Sequence, residues 1–439
     1  MSIAVELVGR LLYAGPVLFV LVGLCVLAIR TPRTYLGVIL IAFLLTNVQL
    51  TGVTDQTTLQ SSAVSVYPMD FLSLVCVVAL PVLMLRRNLN GWRAPIAAAL
   101  LTLMVLWATL MAVAQLGLQP GVNAWRDWIW SLALFWWAFV ALPPLGKRAL
   151  DPFVWVGLLA SLLQLVRYAM TGFGTVNESV VLDGTIVGAR PLSAGAALLM
   201  PAAMFIILSR ERRLTAVPLM GALWLFGSTV TAQHRSVWIG TLLGLVTLAL
   251  IWARTSRHPA FASTGVVLTG LFGSVAMYAI GSASSALSIA ATNTATWNYR
   301  VELWINRLSV PRPISRWISG EVLSPLNTVE YNEVYLIPIS SHSFLVDGVL
   351  RLGLLGTLCA TAVWLLAVFR CPRNWRTSLL PIYFLFLGFS LAYQWTPWFW
   401  LILGLGLGPI KKVSELPLRS TVRPAGPDRW EVARPVMMA

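Results

Sequence analysis

The sequence predicts an all-α polytopic integral membrane protein with about 12–14 transmembrane helices, each crossing needing roughly 20 apolar residues. Three observations lead there. Of 439 residues, 58% are hydrophobic and only 11% are charged, whereas a soluble domain carries about 25% charged residues. Long apolar runs recur from Leu11 to Ile410 with short polar segments between them. The Lys and Arg residues fall in small clusters after alternate runs, the pattern that sets orientation in a membrane.

In chain order the runs lie near 11–29, 34–50, 69–85, 94–114, 128–144, 150–170, 191–209, 214–231, 237–253, 262–282, 344–369, 377–394 and 398–410. The first is too long for a cleavable signal and is held by Arg30 and Arg33, so it reads as an anchor. None alternates in polarity at every second residue, as barrel strands would. The expected organisation is a transmembrane domain over 1–410, one long outer loop with interfacial helices over 283–341 within it, and a basic inner tail over 411–439. Trp and Tyr collect at run ends, in DWIW, FWW and QWTPWFW, as interfacial belts do.

The net charge of +15 invites a nucleic-acid partner, but its distribution excludes one. Clusters at Arg30/Arg33, Arg86/Arg87/Arg93, Lys147/Arg148, Arg210/Arg212/Arg213, Arg254/Arg257, Arg370/Arg373/Arg376, Lys411/Lys412 and four tail arginines put 21 of the 31 cations on one side. The positive-inside rule makes that side cytoplasmic. The basic excess is topology. Cys25, Cys76 and Cys359 lie within apolar runs and Cys371 abuts a basic cluster, with no CxxC, so no disulfide is expected. With three histidines and no HExxH, neither a metal site nor a cofactor is expected.

Ten cations remain on the outer side, and all are Arg: Arg10, Arg126, Arg167, Arg190, Arg235, Arg300, Arg307, Arg312, Arg316 and Arg351. Four belong to the long loop, and long loops translocate whatever their charge. The others oppose the orientation signal and need another use. Arg10, Arg126 and Arg167 are read as structural residues that snorkel to the interface. A guanidinium is a planar fork that fits phosphate oxygens and stays charged in any surroundings. An outward cavity lined by such groups is a natural receptor for a pyrophosphate.

Arg190 opens a run in GARPLSAGAALLM, where Pro191 is expected as the first helical residue. A cation there faces the free N–H groups of a helix start, an arrangement that favours an anion between them. Arg235 lies in TAQHRSVWIG, a very short turn between two runs, and likewise begins the next helix. Two arginines at two outer helix starts can grip one diphosphate from two sides. In the long loop, TWNYRVELWINRL sets Trp297, Val301, Trp304 and Leu308 at 3–4 spacing. That pattern predicts an interfacial helix with Arg300 and Arg307 flanking its apolar face.

SSHSFLVDGVLRLGLLG then puts His342 at the outer mouth of the next run. A His at that position reads either as an N-cap-like or interfacial residue, or as the general base for a hydroxyl. Gly348, Gly353 and Gly356 permit tight helix packing beneath it. His234 is the rival base, read as shaping the turn beside Arg235.

Together, QHRSVW between two runs, YRVELW in the long loop and SHSFLVDGVLRLGLLG after it resemble the O-antigen ligase and Wzy-type polymerase superfamily, over roughly residues 188–360. The family's turn Arg with a following aromatic is matched by Arg235 and Trp238. Its loop Arg and Trp at helical spacing are matched by Arg300 and Trp304. Its loop-end His and Gly-x-x-Gly helix are matched by His342, Ser343 and Gly353 to Gly356. Ser343 stands where Asn is common, and Arg351 where an acidic residue is frequent.

The resemblance implies a GT-C type membrane glycosyltransferase of the bacterial inner membrane, multi-pass, with its active site and long loop facing the periplasm. The donor would be an undecaprenyl-pyrophosphate-linked glycan, and the acceptor a glycan or the lipid A–core. His342 would take the proton of the acceptor hydroxyl while Arg190, Arg235 and Arg300 stabilise the leaving pyrophosphate. His234, Trp238, Trp304 and Ser343 would support them. A direct displacement inverts the anomeric configuration, and guanidiniums supply the positive charge a metal supplies elsewhere. Two other classes stay open. A transporter or flippase of lipid-linked saccharides would show broken helices and ionisable groups near the midplane. A non-catalytic membrane scaffold is the third. No motif distinguishes ligase from polymerase or names the sugars.

Overall fold

The computed structural model describes residues 18–48, 59–60, 65–66, 68–86, 93–171, 179–182, 185–188, 191–210, 216–255, 295–321, 328–331, 335–338, 343–370, 375–386 and 397–409. Helices dominate it. In chain order they are α1 (Leu18–Arg30), α2 (Pro32–Thr46), α3 (Pro68–Leu85), α4 (Arg93–Leu116), α5 (Leu118–Ala141), α6 (Asp151–Thr171), α7 (Ala194–Ala197), α8 (Leu199–Arg210), α9 (Ala216–Thr231) and α10 (Arg235–Thr255). There follow α11 (Ala295–Ser309), α12 (Ile314–Ser319), α13 (Phe344–Arg370), α14 (Leu380–Leu385) and α15 (Pro397–Leu407). Three antiparallel strand pairs among the described residues, 59–60 with 65–66, 179–182 with 185–188 and 328–331 with 335–338, are small additions to the all-α expectation.

Five helical stretches among the described residues are long and apolar enough to cross a membrane: Pro68–Leu85, Ala98–Leu116, Pro143–Met170, Arg235–Arg254 and Leu345–Arg370. Shorter apolar helices include Pro32–Thr46, Ala194–Arg210, Ala216–Thr231 and Pro397–Leu407. The expected run near 262–282 lies outside the described residues, as does the tail over 411–439. The outer faces are apolar. α4 exposes Leu100, Leu103, Leu106, Trp107 and Leu110, and α9 exposes Val217, Met220, Leu223 and Trp224. A soluble monomer rarely leaves contiguous apolar surface of that kind in water, and a lipid-facing helix needs it.

Inside, α15 packs along α5 through an aromatic seam. Trp128 meets Trp400 edge-on with centroids 5.8 Å apart, and Phe135 meets the same ring edge-on at 6.5 Å. Each such pair adds about 0.5–1.5 kcal/mol beyond its buried area. Gly404 lets the two backbones touch at Phe135, the close approach that small residues give to membrane helices.

The helix ends sort as their charges do. Asp151, at the start of α6, binds Arg33 at 2.8 Å and Arg210 at 2.5 Å, tying the start of α2 to the end of α8. Arg370 donates to the Leu407 carbonyl at 2.8 Å and Arg376 to that of Gly408 at 2.5 Å. Both cations thereby cap the last turn of α15, where unsatisfied carbonyls and the negative helix pole lie. The opposite ends of these same helices meet one another. Ser193 donates its N–H to the Asn47 carbonyl at 3.1 Å, and the Trp398 indole donates to the Gly195 carbonyl at 3.0 Å. The turn between α9 and α10 joins them there.

Candidate functional site

That turn is three residues, Ala232, Gln233 and His234, of tightly accounted backbone. The Ala232 N–H donates to the Ser228 carbonyl at 3.0 Å and the Gln233 N–H to that of Val230 at 3.3 Å. The Trp238 N–H donates to the His234 carbonyl at 3.0 Å, so His234 caps α10 and Arg235 is its first residue. Gln233 reverses the chain with a φ of +60°, a left-handed conformation uncommon for any residue but Gly. Such conformations persist only where the surroundings over-determine them.

The surroundings do so here. The Trp238 indole N–H reaches the carbonyls of Thr229 at 3.2 Å and Val230 at 3.1 Å. It therefore closes the end of α9, and Trp238 acts as a brace within the hairpin. From α6, Gln164 donates to the Ser228 carbonyl at 3.0 Å and to Thr231 Oγ1 at 2.8 Å, and the Tyr168 hydroxyl donates to the Thr231 carbonyl. His234 Nε2 lies 2.8 Å from the Leu192 carbonyl oxygen. A carbonyl only accepts, so Nε2 carries the proton. Gln233 is 1% exposed and His234 5%, while Arg235 is half-buried at the rim. These contacts fix the backbone of the tip, and Arg235 follows it directly as the first residue of α10.

The His234 contact brings Arg235 to the segment that follows Arg190. Arg190 itself lies outside the described residues. The expected helix start at Pro191 is corrected: the helix begins at Ala194, and Ser193 caps it, its Oγ accepting from the Ala196 N–H at 3.3 Å. Pro191 instead leads into Leu192, which bridges to Val48. Two polar bonds to Asn47, one of them Ser193 Oγ to Asn47 Oδ1 at 2.8 Å, made α7 start there. Arg190 is thus four residues before the first helical one.

The loop helix is present as α11, Ala295–Ser309. Arg300 lies on its backbone, with its side chain outside the described set, and Trp304 is half-buried. His342 is outside the described residues. Its neighbour Ser343 is buried and caps α13: its Oγ accepts from the Val346 N–H at 3.4 Å and its carbonyl accepts from the Asp347 N–H at 2.9 Å. The capping role open to a His at this helix start is therefore filled by Ser343. Ser and Asn are equivalent caps.

The glycines after it do something other than ease helix packing. α13 is broken at Gly353, with φ +69° and ψ 178°. An unbroken helix would separate Gly348 and Thr357 by about 13 Å along its axis. Here a methyl group on Gly348 would stand 2.9 Å from the Thr357 hydroxyl. The helix is two arms, 344–352 and 354–370, folded at a sharp elbow. Backbone of Ile318 and Gly320, the latter at φ +83°, fills the elbow against Gly353. A Cβ at Gly353 would collide with the backbone of Ile318 and Gly320, and one at Gly320 with the backbone of Arg351 and Gly353.

Of the arginines assigned to the outer side, Arg126 pairs with Asp70 across α5 and α3, Nε to Oδ1 at 2.9 Å, an ion pair in place of the interfacial snorkelling expected of it. Arg307 lies 4.0 Å from Asp347, both side chains buried. No local pattern in the chain marks the brace residues Gln164 and Tyr168; for Gln233 the cue is a Gln flanked by Ala and His at a hairpin tip. Comparison of the chain with protein families, with curated proteins and with solved structures finds no match.

Proposed function

We propose that this protein is a membrane glycosyltransferase moving a glycan from undecaprenyl pyrophosphate to the hydroxyl of an acceptor sugar. The observation that carries the reading is the locked turn. A strained, four-fold braced hairpin exists to hold one half-exposed guanidinium, Arg235, beside the segment that follows Arg190. Preorganised positive charge of this kind is the largest single contribution to reactions that release an anion. In this reading the Arg235 end faces the periplasm, the chain makes 12–14 crossings, and residues 283–341 are the periplasmic loop.

The chemistry is a direct displacement. The imidazole of His342 accepts the acceptor's hydroxyl proton while that oxygen bonds to the anomeric carbon. The carbon's bond to the pyrophosphate oxygen breaks, and Arg190, Arg235 and Arg300 take up the charge on the leaving group. The anomeric configuration inverts. Guanidiniums do the work of a metal clamp. The acceptor is lipid A–core for a ligase, or another lipid-linked repeat for a polymerase.

The test is purified protein in lipid with a labelled lipid-linked donor and an acceptor glycan. Release of undecaprenyl pyrophosphate with glycosylated acceptor is expected. His342→Ala should bind donor and transfer nothing, and transfer by that variant at the normal rate removes His342 as the base. A second reading, transport of a lipid-linked saccharide, is favoured by the broken α13 with Asp347 and Arg351 on its short arm. Against it, the 17 residues of the long arm, 354–370, extend about 25 Å, which sets the break near one face and not at the midplane where transporters bind. Movement of intact donor across vesicles, without release of the pyrophosphate, would favour that second reading.

A further inference from the structure

Four of the ten arginines that charge sorting assigns to the outer side gather at the elbow of α13. Arg307 faces Asp347. Arg312 donates from Nε to Glu321 Oε2 at 3.2 Å and from Nη1 to the Arg307 carbonyl at 2.8 Å. Its guanidinium carbon lies 5.5 Å from the Trp317 ring centroid. Arg316 donates to the other Glu321 oxygen at 2.9 Å. Arg351, one turn beyond Asp347, feels the charges of Asp347 and of Asp127 on α5. The backbones interlock at the same place, the Glu321 N–H donating to the Leu350 carbonyl at 2.8 Å.

The cluster is over-supplied with donors. Arg351 is 6% exposed, and its Nη2 has no hydrogen-bond partner among the described residues. The Arg312 side chain is 5% exposed, and its Nη2 has none either. A buried unmet donor costs about 1–3 kcal/mol, and more when it is charged. Among the described residues, Arg307, Arg312, Arg316 and Arg351 share this elbow with Asp347, Glu321 and Asp127. A fold stabilised by ion pairs alone would match acids to bases or use apolar residues. Two forks with spare N–H groups in one dry elbow are suited to an oxyanion, which accepts two parallel bonds from each.

We infer that the elbow is an oxyanion-binding site, separate from the Arg235 turn, in which Arg351 and Arg312 hold a phosphate or carboxylate group. The Arg316 side chain, 56% exposed, marks the edge through which the anion enters. Two sources carry this chemistry: the phosphate of an anionic lipid headgroup, or an acidic group on a saccharide. The site stands independently of the glycosyltransferase reading.

The test is thermal unfolding of the full-length protein in dodecyl maltoside micelles, which contain no phosphate. Inorganic phosphate, glucuronate and phosphatidylglycerol are titrated separately, and a ligand bound to the folded state raises Tm. At least one should stabilise the wild type and Arg235→Gln alike. Arg351→Gln and Arg312→Gln should each weaken the apparent affinity by about tenfold or more, the loss of one charge-assisted bond. If Arg351→Gln does not fold, Arg351→Lys keeps the charge without the fork and Arg312→Gln decides. A shift with phosphatidylglycerol alone assigns the site to lipid, and a shift with phosphate or glucuronate assigns it to a soluble acidic group. The proposal is overturned if no probe shifts Tm, or if both elbow variants respond as wild type does. It is also overturned if Arg235→Gln alone abolishes the shift, which would put the anion at the turn and support the clamp instead.

Discussion

His234 and Leu192, 42 positions apart in the chain, are joined by a 2.8 Å contact from ring nitrogen to carbonyl oxygen. The contact couples two helix starts, that of α10 and that of α7, and so fixes where Arg235 stands relative to the chain leaving Arg190. His234→Ala leaves a buried carbonyl without its donor, at about 1–3 kcal/mol. Thermal unfolding should show that loss, and glycan transfer should fall with it. His234→Gln, which keeps an N–H donor, should recover most of both. An unchanged Tm in the Ala variant would remove the pin.

The left-handed Gln233 sets a second expectation. Gln233→Val puts a β-branched residue where φ is +60° and should destabilise by about 1–2 kcal/mol. Gln233→Asn should sit within a few tenths of wild type, since Asn tolerates this region. Calorimetry on the two variants decides, and equal melting temperatures would mean the turn relaxes.

Arg235 and Arg126 should separate function from stability. Arg235→Gln removes a half-exposed clamp and should lower turnover by about 10²–10³ with little change in Tm. Arg126→Gln strands Asp70, its partner on α3, and should cost up to about 3 kcal/mol with donor turnover per folded molecule unchanged. A reversed pattern would exchange their roles.

Gly353→Ala meets both a positive φ of 69° and the backbone of Ile318 and Gly320. It should destabilise by more than about 2 kcal/mol. Gly221→Ala, inside α9 with open space around it, is the control and should be neutral or stabilising by up to about 1 kcal/mol. Matching unfolding midpoints would show that the elbow opens freely.

Several elements were legible in the chain because the energies behind them are local. α3, α6 and α9 begin and end within about two residues of the apolar runs at 69–85, 150–170 and 214–231, since transfer to lipid is a property of each residue. α5 was not: it starts at Leu118 and not near 128. Its first three turns contain Arg126 and Asp127, which hydropathy discounts, and the partner that makes Arg126 affordable is Asp70, 56 positions away. The site divides in the same way. His234 as a shaper of the turn and Arg300 on a loop helix were readable from spacing. The cap of α13 falls on Ser343, one residue after the His342 for which a capping role was open. The start of α7 was misplaced because Ser193 and Asn47 bond to each other across 146 positions, a contact with no local trace.

By itself the sequence determined that apolar helices of membrane-spanning length are present, and that the basic residues fall in clusters between apolar runs. Each of those follows from additive transfer energies and from charge order along the chain. Only the tertiary structure decided that Gln233 adopts a left-handed turn, that His234 closes onto Leu192, and that α13 folds at Gly353 around Gly320. Each of these depends on a specific distant partner that makes an otherwise unfavourable backbone the lowest in free energy, and no local pattern encodes who that partner is.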